Sequence, residues 1–270
     1  MKKNNKTKYQ FTILHPGGND QMLIRGLVPK NKKRLINDAA IKRFPNVEQV
    51  SFYKYDGKKK TANLELAGGE FCGNALRSLA FLLLKGKRGE ININVSGTTE
   101  KLKAGVKRKN IGFAQMPMNK STVKKVEKNV FRVNLDGITH LVYLDKLEIS
   151  DPENLKSKAL DILKKENLIY PVPASGVMFI KQYRDFIELK PVVWVRDIET
   201  LLYETACASG TAAIGLWKSA QSTDKETTIK VKQPSNEYIQ ARVRKNRKQS
   251  IEVFIEGPIR ILKRKGVLTI

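Results

Sequence analysis

Cys72-Gly73-Asn74-Ala75-Leu76-Arg77-Ser78-Leu79-Ala80-Phe81-Leu82-Leu83-Leu84 reads as a helix that is apolar around most of its circumference and is closed by Gly86. A helix without a wet face belongs inside a domain, wrapped by other elements. A second stretch of the same kind, Cys207 to Trp217, is rich in Ala and Gly and again apolar nearly all round. Each cysteine opens its helix, and half of the chain's 270 residues separate them. Glu70-Phe71-Cys72-Gly73-Asn74-Ala75 and Glu204-Thr205-Ala206-Cys207-Ala208-Ser209-Gly210-Thr211 share an acid before the thiol and small polar residues after it. The pattern is that of a duplicated, strand-wrapped helix.

The flanking segments fit that plan. Tyr9–Leu14 and Met22–Val28 read as strands around a Pro16-Gly17-Gly18-Asn19-Asp20 turn. Ile36–Phe44 has helical spacing, and Gln49–Tyr55 with Thr61–Leu66 reads as a hairpin across Asp56-Gly57. Ile91–Val95, Lys101–Val106 and Ile111–Met116 follow as strands, and Met116–Lys120 reads as a crossover. The second half repeats the scheme: strands at Phe131–Leu135 and Leu141–Leu144, a helix at Ser157–Asn167, and strands at Gly176–Lys181, Phe186–Leu189 and Pro191–Val195. Lysine-rich hairpins close the chain.

Composition narrows the function classes. Apolar residues make up 41% of the chain, enough to build cores. The longest purely apolar run, Leu79–Leu84, is far short of the ~20 residues of a spanning helix. No apolar segment follows the lysine-rich start, so the expected compartment is the cytoplasm, with no membrane partner. The net charge of +25 comes from 51 Lys and Arg against 26 Asp and Glu. The cations lie in short clusters, among them Lys30–Arg34, Lys101–Lys109 and Arg242–Lys248, with no aromatic residues interleaved. That describes a solvated cationic surface, and no specific nucleic-acid partner is expected. Two cysteines and two histidines, His15 and His140, do not fall at metal-ligand spacing, so no metal site is expected.

A thiol at a helix N-terminus is favoured as thiolate by the unsatisfied N–H groups and the macrodipole. Inverting an α-carbon requires one group to take a proton from one face while another returns one to the opposite face. Cys72 and Cys207, one from each half, suit those roles. Gly73, Asn74, Ser209 and Gly210 keep the helix-end backbone accessible to a carboxylate. Glu204, three residues before Cys207, can reach the thiol or the substrate ammonium. His140 reads as a satisfied core or rim histidine.

Together these residues resemble the diaminopimelate epimerase superfamily of cofactor-independent two-cysteine racemases. Cys72-Gly73-Asn74-Ala75-Leu76-Arg77 is similar to its first cysteine motif, with Ala75 for the second glycine. Ala206-Cys207-Ala208-Ser209-Gly210 is similar to its second, with Ala208 for glycine. Gly18-Asn19-Asp20 is similar to the N-terminal Gly-Asn-Asp. Within the superfamily the nearer likeness is to the histidine racemases of staphylopine-type pathways, carried by Glu70–Ala75, Cys207, Ser209–Ala212, Glu48-Gln49-Val50 and Gln233-Pro234. Arg77 instead matches the epimerase motif.

The resemblance implies an α/β (α+β) fold of two similar domains, each a curled, barrel-like sheet around a central helix, with the active site in the cleft between them. Residues 1–117 plus 259–270 would carry Cys72, and 118–258 would carry Cys207. It implies Glu48 and Glu204 as assistants to the two catalytic thiols, and Asn19, Gly73, Asn74, Ala208, Ser209 and Gly210 as substrate contacts. It implies no cofactor, an amino acid as the small-molecule partner, and a homodimer as an open option. The epimerase's Gly-Asn-Pro-His is Gly137-Ile138-Thr139-His140 here, Ala174-Ser175-Gly176-Val177 lacks a further asparagine, and Asp197-Ile198-Glu199-Thr200 replaces Glu-Arg-Gly. A second amino-acid head group would lack partners, which favours a shorter or less polar side chain, histidine first. The alternatives are diaminopimelate epimerase itself and a non-catalytic relative that binds polyanions.

Overall fold

The alternation at Tyr9–Leu14 produces a strand, β1 (Lys8–His15), in the computed structural model, which describes residues 7–118, 121–144, 151–246 and 250–270. Met1–Lys6, the Asn119-Lys120 end of the expected crossover, and Arg247-Lys248 of one basic cluster lie outside the described residues. β1 pairs antiparallel with β2 (Asp20–Arg25). β2 stops before the predicted Val28 because Gly26 turns the backbone at φ +108°, a conformation that ends a strand. α1 (Lys30–Arg43) starts ahead of the predicted Ile36. Its first turns put Lys30, Lys32 and Arg34 in solvent, so apolar spacing does not register there.

β3 (Val47–Asp56) runs parallel to β2 and turns back as β4 (Thr61–Leu66). α2 (Gly73–Leu83) then carries the chain to β5 (Gly89–Val95), parallel to β4, and β6 (Lys101–Arg108) and β7 (Ile111–Gln115) complete a meander. β8 (Thr122–Glu127), whose lysines hide any alternation, pairs with β9 (Val130–Leu135), and β9 with β10 (Ile138–Leu144). α3 (Pro152–Lys165) begins earlier than the predicted Ser157, because Asp151 caps it by accepting the Asn154 N–H at 2.8 Å and Pro152 fixes its first turn. β11 (Ala174–Gln182) runs parallel to β10 and hairpins into β12 (Ile187–Val195).

The sequence predicts two strands where β12 is one, unbroken through Pro191. The Pro191 carbonyl accepts the Glu204 N–H at 3.2 Å, so its missing donor would point the same way. That side is a gap. β13 (Thr200–Tyr203) pairs only with Val192–Val195, and β14 (Glu226–Lys232) only with Ile187 and Glu188. No ladder bond is therefore lost at the proline.

α4 (Ala208–Ala220) joins β13 to β14, and β15 (Tyr238–Lys245) and β16 (Ile251–Pro258) complete a second meander. The pairing scheme thus repeats: a parallel pair across α1 and across α3, a hairpin, a parallel pair across α2 and across α4, then a meander. β16 also pairs with β7, and β17 (Arg260–Thr269) with β1, so the 17 strands of the described residues form one continuous hydrogen-bonded network. α2 packs on β2, β5, β6 and β7, and α4 on β8, β9, β10, β14, β15 and β16. Leu76 and Leu79 of α2 and Ile214 and Trp217 of α4 are buried in a single apolar cluster. Each contributes about 1.5–3 kcal/mol by leaving water. Among the described residues no helix is long and apolar enough to cross a membrane.

Candidate active site

Cys72 and Cys207 are the N-cap residues of α2 and α4, both in extended backbone. Each sulfur caps its own helix: Cys72 Sγ accepts the Ala75 N–H at 3.5 Å, and Cys207 Sγ accepts the Gly210 N–H at 3.2 Å. Both line one cavity of about 40 Å³, together with Asn19, Gln49, Glu70, Phe71, Gly73, Asn74, Gly137, Ile138, Ala174, Val193, Val195, Glu204, Ala208 and Ser209. That volume holds a few waters and no amino acid. A larger open cavity of about 810 Å³, against Lys30, Lys33 and Arg34, contains neither sulfur.

The walls meet closely. Gly18, at φ +114°, sits where a Cβ would lie 2.7 Å from the Thr205 carbonyl oxygen and 2.8 Å from Ala206 Cβ. The Asn19 N–H donates to Thr205 Oγ1 at 2.7 Å, and its side-chain amide donates to the Ala206 carbonyl at 3.3 Å. Asn74 donates to the same carbonyl at 3.1 Å. The β1–β2 turn and the start of α2 therefore grip the backbone immediately before Cys207.

Cys207 is also held from behind. Buried Gln233 accepts the Cys207 N–H at 2.9 Å while donating to Thr211 Oγ1 at 3.0 Å and to the Val231 carbonyl at 3.2 Å. Ser209 Oγ lies 3.5 Å from Cys207 Sγ and 2.9 Å from His140 Nε2. Burial pushes His140 down to about 3, so the imidazole is neutral.

The carboxyls divide unequally. Glu204 lies beside the Cys207 thiol, and burial, with Glu48 and Glu70 nearby, pushes it up to about 8. Glu70 accepts from Gln49 Nε2 at 3.0 Å and is raised by burial. Glu48 accepts from Thr205 Oγ1 at 2.6 Å and does not line the cavity. Glu204 and Glu70 are the acids whose charges bear on Cys72.

Helix ends favour the thiolate, but in this closed site burial opposes it more strongly. Burial first, then Glu204 and Glu70, push Cys72 up to about 12, and burial with Glu204 raises Cys207 well above a free thiol. The magnitudes explain the outcome. A helix terminus supplies about 0.3–2 kcal/mol. Full burial moves a pKa by up to ~3–5 units, at about 1.4 kcal/mol each.

Of the residues singled out in the sequence, Cys72, Cys207, Glu204, Asn19, Gly73, Asn74, Ala208 and Ser209 line the cavity, while Gly210 stands behind its sulfur. Sequence reasoning did not single out Gln49 or Gln233 as site residues, although both lie in segments that carried the resemblance. Ile138, Val193, Val195 and Ala174 form an apolar wall, opposite in character to Gln49 and Glu70. Among the described residues no group of three or more His, Cys, Asp or Glu is arranged to hold a metal ion.

A family model described as the histidine racemase CntK N-terminal domain matches residues 8–267. A histidine racemase of Fusobacterium nucleatum subsp. nucleatum is 30% identical over 269 residues, covering 93% of this chain and 94% of the relative. One from Staphylococcus aureus (strain Mu50) is 22% identical over 247 residues, covering 87% and 89%. Among solved structures, a hydroxyproline epimerase from Agrobacterium vitis with bound trans-4-hydroxy-L-proline matches 97% of this chain and 91% of its own, at TM-score 0.64 and 11% identity. A phenazine biosynthesis protein of the PhzF family from Enterococcus faecalis matches 97% and 99%, at TM-score 0.61 and 14% identity. At those identities the structural likeness speaks for the fold.

Proposed function

Since the chain belongs to the CntK-type histidine racemase family and is an amino-acid racemase, an isomerase, we propose that histidine is its substrate and that Cys72 and Cys207 invert the α-carbon directly. One observation carries the reading: the two thiols, each capping its own buried helix, line the same cavity. In one direction a sulfur acts as thiolate and takes the α-proton, forming an S–H bond as the C–H bond breaks. The electron pair left on carbon is spread into the carboxylate. The opposite thiol then gives its proton to the other face, so the two sulfurs exchange roles and no proton or electron is gained or lost.

The first-turn amides of α2 and α4, which a helix leaves without internal acceptors, hold the carboxylate and steady the charge that develops on it. The incoming α-ammonium brings positive charge among Glu70, Glu204 and the thiols, which lowers the cost of a thiolate. Glu204, raised to about 8, serves as the proton store beside Cys207. The Ile138, Val193 and Val195 wall suits a flat ring, with Gln49 and Glu70 available to its N–H group. A second amino-acid head group has no counterpart on that wall, which is why diaminopimelate ranks behind histidine.

A cavity of about 40 Å³ is the closed form on this reading. Residues 1–117 with 259–270, and residues 118–258, form two units that part to admit the ligand and close to expel water. The cytoplasm keeps both sulfurs reduced, as the chemistry requires. Incubation in heavy water with a panel of amino acids, including diaminopimelate, tests the assignment. Deuterium should enter the α-carbon of histidine with loss of its handedness. Exchange on diaminopimelate alone, or on nothing, would overturn it.

A further inference from the structure

We propose that Arg77 is the positioning residue of this site: its guanidinium locks Asn74 against the Ala206 carbonyl ahead of Cys207 and supplies the fixed positive charge behind Cys72. The kinetic part of this inference rests on the racemase reading above; the electrostatic part does not.

Arg77 is 0% exposed and is the only fully buried Lys or Arg among the described residues. Its hydrogen-bond partners are all neutral oxygens. Nε and Nη2 donate to Asn74 Oδ1 at 3.2 and 3.0 Å, Nη1 donates to the Pro258 carbonyl at 3.3 Å, and Nη2 also donates to the Pro16 carbonyl. A buried guanidinium without a carboxylate in contact is a poor device for stability, since an apolar side chain of similar volume avoids the desolvation. The fold nevertheless makes room for it. A Cβ on Gly257 would stand 2.9 Å from Nη1, and one on Gly17 3.8 Å from Nη2.

The geometry points to what that room serves. Arginine has donors and no acceptor, so it forces the Asn74 amide oxygen toward itself and the amide nitrogen away. That nitrogen is the group that donates to the Ala206 carbonyl. On the opposite side Gln21 Nε2 donates to Asn19 Oδ1 at 2.9 Å and sets the Asn19 amide in the same sense. The carbonyl that leads into Cys207 is thus gripped by two amides, each with its orientation fixed from behind. A flipped Asn74 would present oxygen to oxygen and let the start of α4 move.

The charge acts on the other sulfur. Cys72 interacts electrostatically with Arg77, and the carboxyls of Glu70 and Glu204 face the thiol with the opposite effect. The remaining charge felt by Arg77 is that of Glu237. Burial and two acids oppose a thiolate at Cys72, and the Ala75 and Asn74 N–H groups favour one. The guanidinium adds its positive charge from behind the cavity lining, five residues or about 1.4 turns along α2.

The test compares the parent chain with Arg77→Met and Arg77→Lys. Cys72 is alkylated with iodoacetamide at fixed pH and its peptide is followed by mass spectrometry. Removing the charge in Arg77→Met should slow alkylation about tenfold, the equivalent of one unit of pKa, while Arg77→Lys alkylates within about twofold of the parent. Arg77→Lys should nevertheless lose about tenfold or more in kcat with little change in KM, because an ammonium lacks the planar fork by which Nε and Nη2 hold Asn74 Oδ1 together. Parental alkylation in a cooperatively folded Arg77→Met, or parental kcat in Arg77→Lys, would overturn the proposal. Arg77→Lys decides alone if Arg77→Met does not fold. Alkylation needs no substrate, so that arm reads Arg77 even if histidine is not turned over.

Discussion

The first residues of α2 and α4 are in contact: a Cβ on Gly73 would lie 3.1 Å from Ala208 Cβ. Two helices that begin half a chain apart therefore meet end to end, each with a cysteine as its cap. Gly73 is not at positive φ, so what its missing side chain provides here is space, and the helix ends can close around one ligand.

Gly73→Ala should show this directly. The new methyl group would meet Ile255 Cδ1 at 2.9 Å and Met116 Sδ at 3.2 Å as well as Ala208. We expect a destabilisation of about 1–3 kcal/mol from overpacking, and a larger proportional loss of α-hydrogen exchange as the helix ends separate. Thermal unfolding and deuterium incorporation measure the two effects. Full exchange activity in the variant would contradict this account.

Glu204 makes stability depend on pH in a defined direction. Its carboxyl is raised from 4.5 to about 8 in the folded protein, so the native state holds a proton that the unfolded chain releases. Its contribution is fully present below about pH 4.5 and is lost as pH rises through about 8. Glu204→Gln should flatten that decline, which runs from about pH 4.5 to about pH 8, by an amount on the order of a few kcal/mol at most. Denaturant midpoints at a series of pH values would reveal it, and parallel curves for parent and variant would refute it.

His140 acts on the acid side. Burial lowers it from 6.5 to about 3, so stability falls as pH drops from about 6.5 toward 3. A His140→Gln variant should lose that limb and, because Ser209 Oγ loses its 2.9 Å partner, turn over more slowly at neutral pH. Unchanged acid unfolding would count against a neutral, buried imidazole.

Gln233→Leu should cost about 2–4 kcal/mol. It leaves the buried Cys207 N–H without its 2.9 Å acceptor and removes two further hydrogen bonds, to Thr211 and Val231. Kinetics should show a fall in kcat beyond any effect on folding, since Cys207 loses the contact that fixes its backbone. A variant as stable as the parent would show that water satisfies the site.

The helices α2 and α4, the cysteines at their starts and the repeated strand order were legible because burial on all sides leaves an apolar pattern in the chain itself. Helix starts at Lys30 and Pro152 and the strand β8 were missed where lysines face solvent and no periodicity is imposed. Glu48 and Glu204 stand out by resemblance, whereas only the fold shows Glu70 joining Glu204 in acting on Cys72. Spacing along a chain carries no information about which carboxyl meets which sulfur.

The sequence by itself determined that two equivalent thiols would cap two buried helices, because N-cap chemistry and apolar periodicity are local. Only the tertiary structure decided that the helix ends touch, that Arg77 and Gln233 stand behind them, and that both thiols are held protonated in the closed site. Desolvation is a sum over every neighbour a group acquires, and those neighbours are brought together from segments that the chain order keeps apart.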